Sequence, residues 1–215
     1  MTQFAICCYR PWNLAFFKDF NLITDKDDLE TKLSELSPEW VFFLDWSWTV
    51  PLEVIKKYKC VCFHESDLPN FRGGSPIQNQ IVKGIKKTKL TAFLMDERLD
   101  TGDILLQEDL SLEGHLMDIF NRVLDLTPRM ISRILQGDYV RRKQEGKGSY
   151  FPRRRPESSE FDELLFSLQP LKVIYDHIRM LEDPYPNAFL MVGDRKIIFK
   201  SAEMKGKLTA LVEIE

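Results

Sequence analysis

Short apolar runs alternate with longer amphipathic stretches through most of the chain, and this alternation predicts the fold. Four runs have the length and composition of buried β-strands, at residues 3–8, 40–44, 60–63 and 90–94. Other stretches carry apolar residues at helical spacing and predict helices, at residues 27–36, 50–58, 77–87 and 112–136. Strands that alternate with helices are typical of an α/β protein with a Rossmann-like, mostly parallel sheet and helices on both faces.

The strands at residues 60–63 and 90–94 predict where a site lies. One helix has room between them, and the order strand, helix, strand favours a parallel pair with a right-handed crossover. His64 follows the first strand and Asp100 follows the second. Because ligands of such sheets bind beyond the carboxyl ends of the strands, we expect both side chains at one site. An imidazole titrates near neutral pH and a carboxylate can orient it, so this pair suits proton transfer.

The composition changes near residue 145. Residues 141–156 are rich in Arg, Lys and Gly, and Pro152 and Pro156 favour an extended path. A helical pattern at residues 170–181 and three short strands at residues 189–192, 195–200 and 208–214 follow. We therefore expect a Rossmann-like domain at residues 1–145 and a small C-terminal α+β subdomain at residues 146–215.

The overall charge limits the expected partners. The formal net charge is −3 and the sequence pI is about 5.8. This balance gives no general support for nucleic-acid binding, which depends on Lys and Arg neutralising phosphates. No apolar run approaches the roughly 20 residues of a membrane-spanning helix, and the N-terminus lacks a signal-peptide pattern. We expect a cytoplasmic monomer or homodimer that binds neither nucleic acid nor membrane.

Two further patterns argue against common cofactors. The loop after the first strand, residues 9–13, contains no glycine, whereas a dinucleotide-binding protein carries Gly-x-Gly-x-x-Gly there. The four cysteines lack the spacing of metal ligands and are expected to be reduced and buried. Neither NAD, FAD nor a bound metal is therefore expected.

A dozen positions in two blocks resemble a known family. The first block, residues 64–76, reads His-x-Ser-x-Leu-Pro-x-x-Arg-Gly-x-x-Pro, and the second, residues 99–103, reads Leu-Asp-Thr-Gly-Asp. In these blocks the chain resembles the formyltetrahydrofolate-dependent formyltransferases, with the nucleotide-sugar N-formyltransferases as the nearest branch. Residues 150–157 and 183–189 resemble further segments of the family, so the resemblance covers nearly the whole chain.

The resemblance implies formyl transfer from N10-formyltetrahydrofolate to an amine, and it implies roles for particular residues. The family's catalytic set is an Asn, a His and an Asp. His64 and Asp100 match, whereas Cys62 stands at the Asn position. A thiol donates a weaker hydrogen bond than an amide, so oxyanion stabilisation is affected, and Gln78 and Asn79 are candidate substitutes.

Binding residues also follow from the resemblance and from the loops beside it. The cofactor-binding candidates are Trp48, Thr49, Val50, Met95, Asp96 and Leu99. The substrate-binding candidates are Tyr9, Arg10, Trp12, Asn13, Glu65, Asp67, Arg72, Gly73, Gly74, Gln78, Asn79, Arg153 and Arg155. Structural roles are open alternatives: Trp48 covering the sheet edge, Arg72 pairing with a carboxylate, and Arg153 and Arg155 lying in a solvated charged stretch.

The length and charge favour one acceptor. The chain ends before the larger C-terminal barrel expected of a methionyl-tRNA formyltransferase, and it is not basic. We therefore expect the acceptor to be a UDP- or dTDP-linked 4-amino-4,6-dideoxy sugar, as in pseudaminic acid, lipopolysaccharide or other surface-glycan biosynthesis. The alternatives are a non-catalytic folate- or nucleotide-sugar-binding homologue and a methionyl-tRNA formyltransferase-like enzyme.

Overall fold

The computed structural model describes residues 3–161 and 163–215, which form two compact units. The first unit runs as far as Arg72 and also contains Lys89–Leu110 and Arg122–Tyr150. The second unit contains Gly73–Thr88, Ser111–Asn121 and the chain from Phe151 onwards. Among the described residues, no helix combines the length and the apolar character needed to cross a membrane.

Strands and helices alternate as the sequence predicts. The strands are β1 Phe4–Cys7, β2 Leu22–Ile23, β3 Trp40–Phe43, β4 Lys59–His64, β5 Arg72–Gly73, β6 Lys87–Leu94, β7 Ile104–Ser111, β8 Tyr150–Phe151, β9 Ala188–Val192, β10 Arg195–Met204 and β11 Leu208–Ile214. The helices are α1 Pro11–Phe16, α2 Leu29–Leu36, α3 Leu52–Lys57, α4 Pro76–Ile81, α5 Leu116–Leu135, α6 Glu163–Leu168 and α7 Leu171–Arg179. The predicted α/β class with a mostly parallel sheet is confirmed.

The main sheet has six strands in the order β2-β1-β3-β4-β6-β7. β1 pairs in parallel with β2 and β3, and β3 pairs in parallel with β4. All four residues of β3 are buried, which is why this strand is a continuous apolar run in the sequence. The carboxyl ends of β1, β3 and β4 therefore open at one edge of the sheet.

Alternate residues of the strands supply two apolar cores, one for each face of the sheet. Phe42 and Phe63 belong to the first core, together with Met130 and Ile134 of α5. The second core contains residues of the opposite strand positions, such as Phe43, with Leu33 of α2 and Val54 of α3. Helices thus cover both faces, as predicted.

The expected parallel pairing of the strand that ends at His64 with the strand that ends at Leu94 is wrong. β4 and β6 are antiparallel, with Val61 opposite Leu94 and His64 opposite Thr91. The only helix between them, α4, has six residues and spans about 9 Å, whereas β4 spans about 20 Å. A helix of this length cannot return along the strand, so the chain enters β6 from the carboxyl end of β4.

The second unit contains the small antiparallel sheet, in the order β11-β10-β9, with α7 packed on β10. Arg179 is 3% exposed, and its guanidinium donates to Asp176 at 2.6 Å and to the carbonyl of Leu112 at 2.7 Å. Glu182 accepts the backbone N–H of Leu116 at 3.1 Å. These bonds join the start of α5 to α7, and the expected small C-terminal unit of a helix and strands is confirmed.

Candidate active site

The centre of the candidate site is His64, the last residue of β4, which is 6% exposed. Its Nε2 lies 2.8 Å from the carbonyl oxygen of Phe71, and its Nδ1 lies 4.0 Å from Oδ2 of Asp100. A carbonyl oxygen only accepts hydrogen bonds, so Nε2 carries a proton and donates it. In the neutral ring the basic nitrogen is then Nδ1, on the side of Asp100.

The loop after His64 folds back so that the carbonyl of Phe71 reaches the ring. Phe71 has a φ of 57°, in the left-handed region that non-glycine residues enter at a cost of about 1–3 kcal/mol. Its backbone N–H donates to the hydroxyl of Ser149 at 2.9 Å. At the start of the loop, the hydroxyl of Thr91 in β6 donates to the carbonyl of Ser66 at 2.6 Å. The loop is therefore fixed at both ends.

Asp100 lies in the turn between β6 and β7, is 9% exposed and also has a left-handed φ, of 54°. Its carbonyl accepts Nε of Arg72 at 3.0 Å and Nε2 of Gln144 at 2.9 Å. Gln144 also donates to the carbonyl of Gly102 at 2.9 Å and accepts Nη2 of Arg72 at 2.7 Å. A Cβ at Gly102 would lie 1.7 Å from the carbonyl oxygen of Leu94, so this turn requires glycine. Arg72, a substrate-binding candidate, contacts the Asp100 turn in this structure.

Three carboxyl groups, from Asp45, Glu65 and Asp100, influence the ionisation of this site. Burial raises the pKa of the Cys62 thiol well above its usual range, and Asp100 and then Glu65 and Asp45 raise it further. Burial also raises the pKa of Glu65 to about 8, with additional repulsion from Asp45 and Asp100. At neutral pH the site therefore contains a protonated thiol and a protonated carboxylic acid. In these protonation states both groups are able to donate hydrogen bonds, the thiol only weakly.

Asp45 joins the loops that follow β1 and β3. Its Oδ2 accepts Nε1 of Trp12 at 3.0 Å and Nδ2 of Asn13 at 2.9 Å. Both residues are substrate-binding candidates, and both direct these donors at Asp45. Sequence reasoning did not single out Asp45, because one carboxylate after a strand carries no motif.

An aromatic cluster lies at the same edge of the sheet. The ring of Trp48 lies 4.4 Å from that of Tyr9 and 4.8 Å from that of Trp46. The Tyr9 hydroxyl donates to Ser47 at 2.7 Å, and the guanidinium of Arg10 lies 4.7 Å above the Tyr9 ring. Tyr9, Arg10 and Trp48 are partly exposed. Together they form a surface suited to stacking against a flat ring.

The other cofactor-binding candidates differ in what they expose. The Val50 side chain is buried in the core, which leaves only its backbone for a ligand, whereas Thr49 and Leu99 are exposed. Met95 packs against the core, and Asp96 accepts a threonine hydroxyl of its own turn at 2.7 Å. Exposed Asp67, a substrate-binding candidate, accepts a glutamine amide at 3.1 Å.

The remaining substrate-binding candidates belong to the second unit: Gly73, Gly74, Gln78, Asn79, Arg153 and Arg155. A Cβ at Gly74 would lie 2.5 Å from Cα of Arg153, so the close packing of these two segments requires glycine. Asn79 donates to the carbonyl of Gly74 at 2.8 Å. Gln78 is 1% exposed, and its Nε2 donates to no other described group. Arg153 and Arg155 are exposed.

Gln144 and Ser149 are two further candidates that, like Asp45, the sequence did not reveal. Both lie in the stretch that the sequence indicates as a domain boundary, and they contact loops that precede them by dozens of residues. The glycine at position 148 is one signal that the sequence does contain. In the structure Gly148 has a φ of 65°, and a Cβ there would lie 2.5 Å from the carbonyl oxygen of Pro69. A glycine in such a position marks a close approach of two backbones.

Comparison with known proteins places the chain in a class. Residues 14–135 match the family described as Formyl transferase, and residues 156–215 match the family described as Methionyl-tRNA formyltransferase, C-terminal domain. The chain belongs to the formyl transferase family. The prediction of a formyltransferase, and of N10-formyltetrahydrofolate as its formyl donor, is confirmed at the level of the family.

Two relatives are methionyl-tRNA formyltransferases. The solved structure of one from Clostridium thermocellum is 40% identical, with a TM-score of 0.92 over all of this chain and 99% of that chain. A curated relative from Syntrophomonas wolfei is 27% identical over 199 residues, which are 86% of this chain and 62% of that protein. The chain thus spans about six tenths of the length of the curated relatives it matches.

The expected acceptor, a nucleotide-linked amino sugar with no nucleic-acid partner, is wrong. A sugar N-formyltransferase from Mycobacterium tuberculosis has a TM-score of 0.77 but is 19% identical over 95% of this chain and 99% of that one, a likeness that shows the fold alone. The argument from length fails because the Clostridium thermocellum protein is matched over almost its full length. The argument from net charge fails because a total averages over the chain and does not describe local positive groups, such as exposed Lys143 and Lys147.

Proposed function

We propose that this protein transfers the formyl group of N10-formyltetrahydrofolate to the amine of methionyl-tRNA. The observation that carries the proposal is the resemblance to the methionyl-tRNA formyltransferase of Clostridium thermocellum, at 40% identity across both chains. The match of residues 156–215 to a C-terminal domain of the same name supports it. A cytoplasmic location, and a boundary near residue 145 between a catalytic and a C-terminal domain, stay predictions.

The residues of the site fit a formyl-folate. N10-formyltetrahydrofolate supplies the carbon that the amine attacks, and the amine loses one proton while N10 gains one. The partly exposed rings of Tyr9 and Trp48 suit a flat heterocycle, and the backbone of residues 48–50 is next to them. We assign the predicted cofactor role to this loop and to the turn of residues 95–99.

His64 and Asp100 have the geometry to move that proton. Nδ1 is the basic nitrogen of His64, and we assign it the proton that the amine loses. Asp100, 4.0 Å away, stabilises the resulting imidazolium. This distance exceeds a hydrogen bond, so a water or a small rotation of Asp100 completes the contact.

Oxyanion stabilisation needs a donor, because the carbonyl oxygen becomes negative as the amine attacks. In the structure Nε2 of His64 donates to the carbonyl of Phe71, and the thiol of Cys62 is a weak donor. Protonated Glu65, which is three residues beyond Cys62 and directly follows His64 at the end of β4, is the stronger donor. We assign Glu65 this role in place of the amide that the family carries.

The test is a formylation assay with purified protein, N10-formyltetrahydrofolate and methionyl-tRNA, in which formylmethionyl-tRNA and tetrahydrofolate are both measured. We expect equal amounts of the two products. His64→Asn should lower turnover by about 10²–10⁴-fold while the circular dichroism spectrum stays unchanged. His115→Asn is the matched control, because His115 also pairs with a carboxylate, that of Glu182 at 2.7 Å, but in the second unit.

The outcome separates the acceptor from the chemistry. Release of tetrahydrofolate without formylmethionyl-tRNA would overturn methionyl-tRNA as the acceptor, because the formyl group would then have passed to water. Full activity of His64→Asn would overturn the role of His64. A nucleotide-linked amino sugar serves as the negative control and should not be formylated.

A further inference from the structure

Residues 144–149 contact both loops that approach His64, and this segment lies within the first unit. Ser149 makes three backbone-directed hydrogen bonds to the loop after β4. Its hydroxyl accepts the N–H of Phe71 at 2.9 Å, its carbonyl accepts the N–H of Arg72 at 2.9 Å, and its own N–H donates to the carbonyl of Pro69 at 3.2 Å. One residue therefore fixes the peptide whose carbonyl faces the imidazole.

Gln144 acts on the second loop. Its amide nitrogen donates to the carbonyls of Asp100 and Gly102, both at 2.9 Å, and its amide oxygen accepts two bonds from Arg72, at 2.7 and 3.1 Å. Arg72 in turn donates to the carbonyl of Asp100 at 3.0 Å. The backbone of Asp100 is thus fixed by an amide and a guanidinium that also contact each other.

The two loops meet at His64 from opposite sides of the ring. The carbonyl of Phe71 lies at Nε2 and the carboxylate of Asp100 lies toward Nδ1. An acceptor at Nε2 keeps the proton on that nitrogen, and the choice of tautomer decides which nitrogen is basic. Any group that fixes the Phe71 carbonyl therefore fixes the chemistry available at Nδ1.

We propose that Gln144 and Ser149 are positioning residues for formyl transfer, which select the Nε2–H tautomer of His64 and hold Asp100 opposite its basic nitrogen. This inference rests on the proposed function in one respect, because formyl transfer is taken to be the reaction that the two residues support. The opposing explanation is that residues 144–149 merely stabilise two loops. The two explanations differ in what happens to the imidazole when a single hydrogen bond is removed and the fold persists.

The test uses the small number of imidazoles in the chain. There are three histidines, so ¹⁵N-labelled rings give few signals, and His64→Asn identifies the one that belongs to His64. In the intact protein we expect the Nε2–H tautomer. Ser149→Ala should convert this signal into a mixture of tautomers and lower kcat by about 10²-fold, with KM for N10-formyltetrahydrofolate unchanged. Ser149→Thr, which keeps the hydroxyl, should restore the tautomer.

Ser111→Ala is the matched control, because the Ser111 hydroxyl also accepts a backbone N–H, that of Glu113 at 3.3 Å, in the second unit. It should leave both the His64 signal and kcat unchanged. Gln144→Glu is the second variant in case Ser149→Ala fails to fold. A carboxylate keeps the acceptor for Arg72 but cannot donate to the carbonyls of Asp100 and Gly102, so kcat should fall and the pH profile should shift.

The inference is overturned if folded Ser149→Ala, or folded Gln144→Glu in its place, keeps the tautomer, the pH profile and kcat of the parent protein. The spectroscopic measurement needs no acceptor. If methionyl-tRNA is not the acceptor, the proposed function fails while the tautomer experiment still gives its answer.

Discussion

Glu65 gives a prediction about stability that the structure quantifies. Burial is the main reason that its pKa is raised to about 8 from an ordinary 4.5, and Asp45 and Asp100 add to the shift. Between these two pH values the unfolded chain has lost the proton of Glu65 and the folded chain has kept it. Since the folded state then binds more protons, stability falls as the pH rises through this window.

The magnitude follows from the same shift. One pKa unit corresponds to about 1.4 kcal/mol, so the loss reaches about 3 kcal/mol at pH 7 and approaches about 5 kcal/mol above pH 8. The substitution Glu65→Gln removes the titrating group but keeps the size of the side chain and a hydrogen-bond donor. The difference in stability between this variant and the parent protein should therefore increase by several kcal/mol, in favour of the variant, as the pH rises from 5 to 8.5.

Tryptophan fluorescence during urea unfolding measures the stability of the unit that contains Glu65. All four tryptophans, at positions 12, 40, 46 and 48, lie in the first unit with Glu65. Glu35→Gln is the control, because Glu35 is exposed in α2 of the same unit, and its midpoint should follow that of the parent at every pH. If Glu65→Gln and the parent have parallel pH dependences, Glu65 is not protonated in the folded state, and its role as a donor is lost with it.

Three further predictions concern other parts of the chain. Gly148→Ala should abolish most activity, because the new Cβ would lie 2.5 Å from a carbonyl oxygen, whereas Gly137→Ala has a similar φ of 77° with nothing within 4 Å and should remain active in the formylation assay. The four thiols have pKa values raised mainly by burial, so iodoacetamide at pH 8 should label the folded protein far more slowly than the urea-unfolded chain; rapid labelling would contradict this. Burial, and then the charge of Arg154, lowers the pKa of His177 to about 4, so the unfolded chain gains a proton first and stability falls as the pH drops below 6.5. His177→Phe should remove about 3 kcal/mol of this loss by pH 4, as measured by denaturation followed with circular dichroism, and an unchanged acid limb would refute the assignment.

The sequence predicted the strands and helices well because burial decides their pattern. β3 is an apolar run because both of its faces are covered, and α2 carries leucines at helical spacing because one side packs on the sheet. Strand direction is different. The periodicity of apolar residues is the same for parallel and antiparallel strands, so the predicted direction of β6 depended on the predicted length of α4. Sequence patterns predict the ends of a helix less accurately than its existence, and α4 is shorter than predicted.

Candidate site residues could be named from the sequence only where they form a motif. His64 and Asp100 stand in two recognisable blocks, and the structure places their side chains together. Gln144 and Ser149 are common polar residues without a pattern of their own, and they contact Arg72 and Phe71 across 72 and 78 positions of the chain. Patterns in a single sequence carry no information on such pairs. Likewise, the net charge of the whole chain does not describe where positive groups lie.

The distance along the chain between Phe71 and Ser149 has a consequence for the time at which activity arises. The two residues are 78 positions apart. At a synthesis rate of about 5–20 residues per second, roughly 4–16 s pass between their additions to the nascent chain. β1, β3 and β4 can associate during this interval, but the loop beside His64 then lacks its anchor. We therefore expect the parallel strands to pair before the imidazole of His64 reaches its final geometry, so that these two steps are separated in time during synthesis.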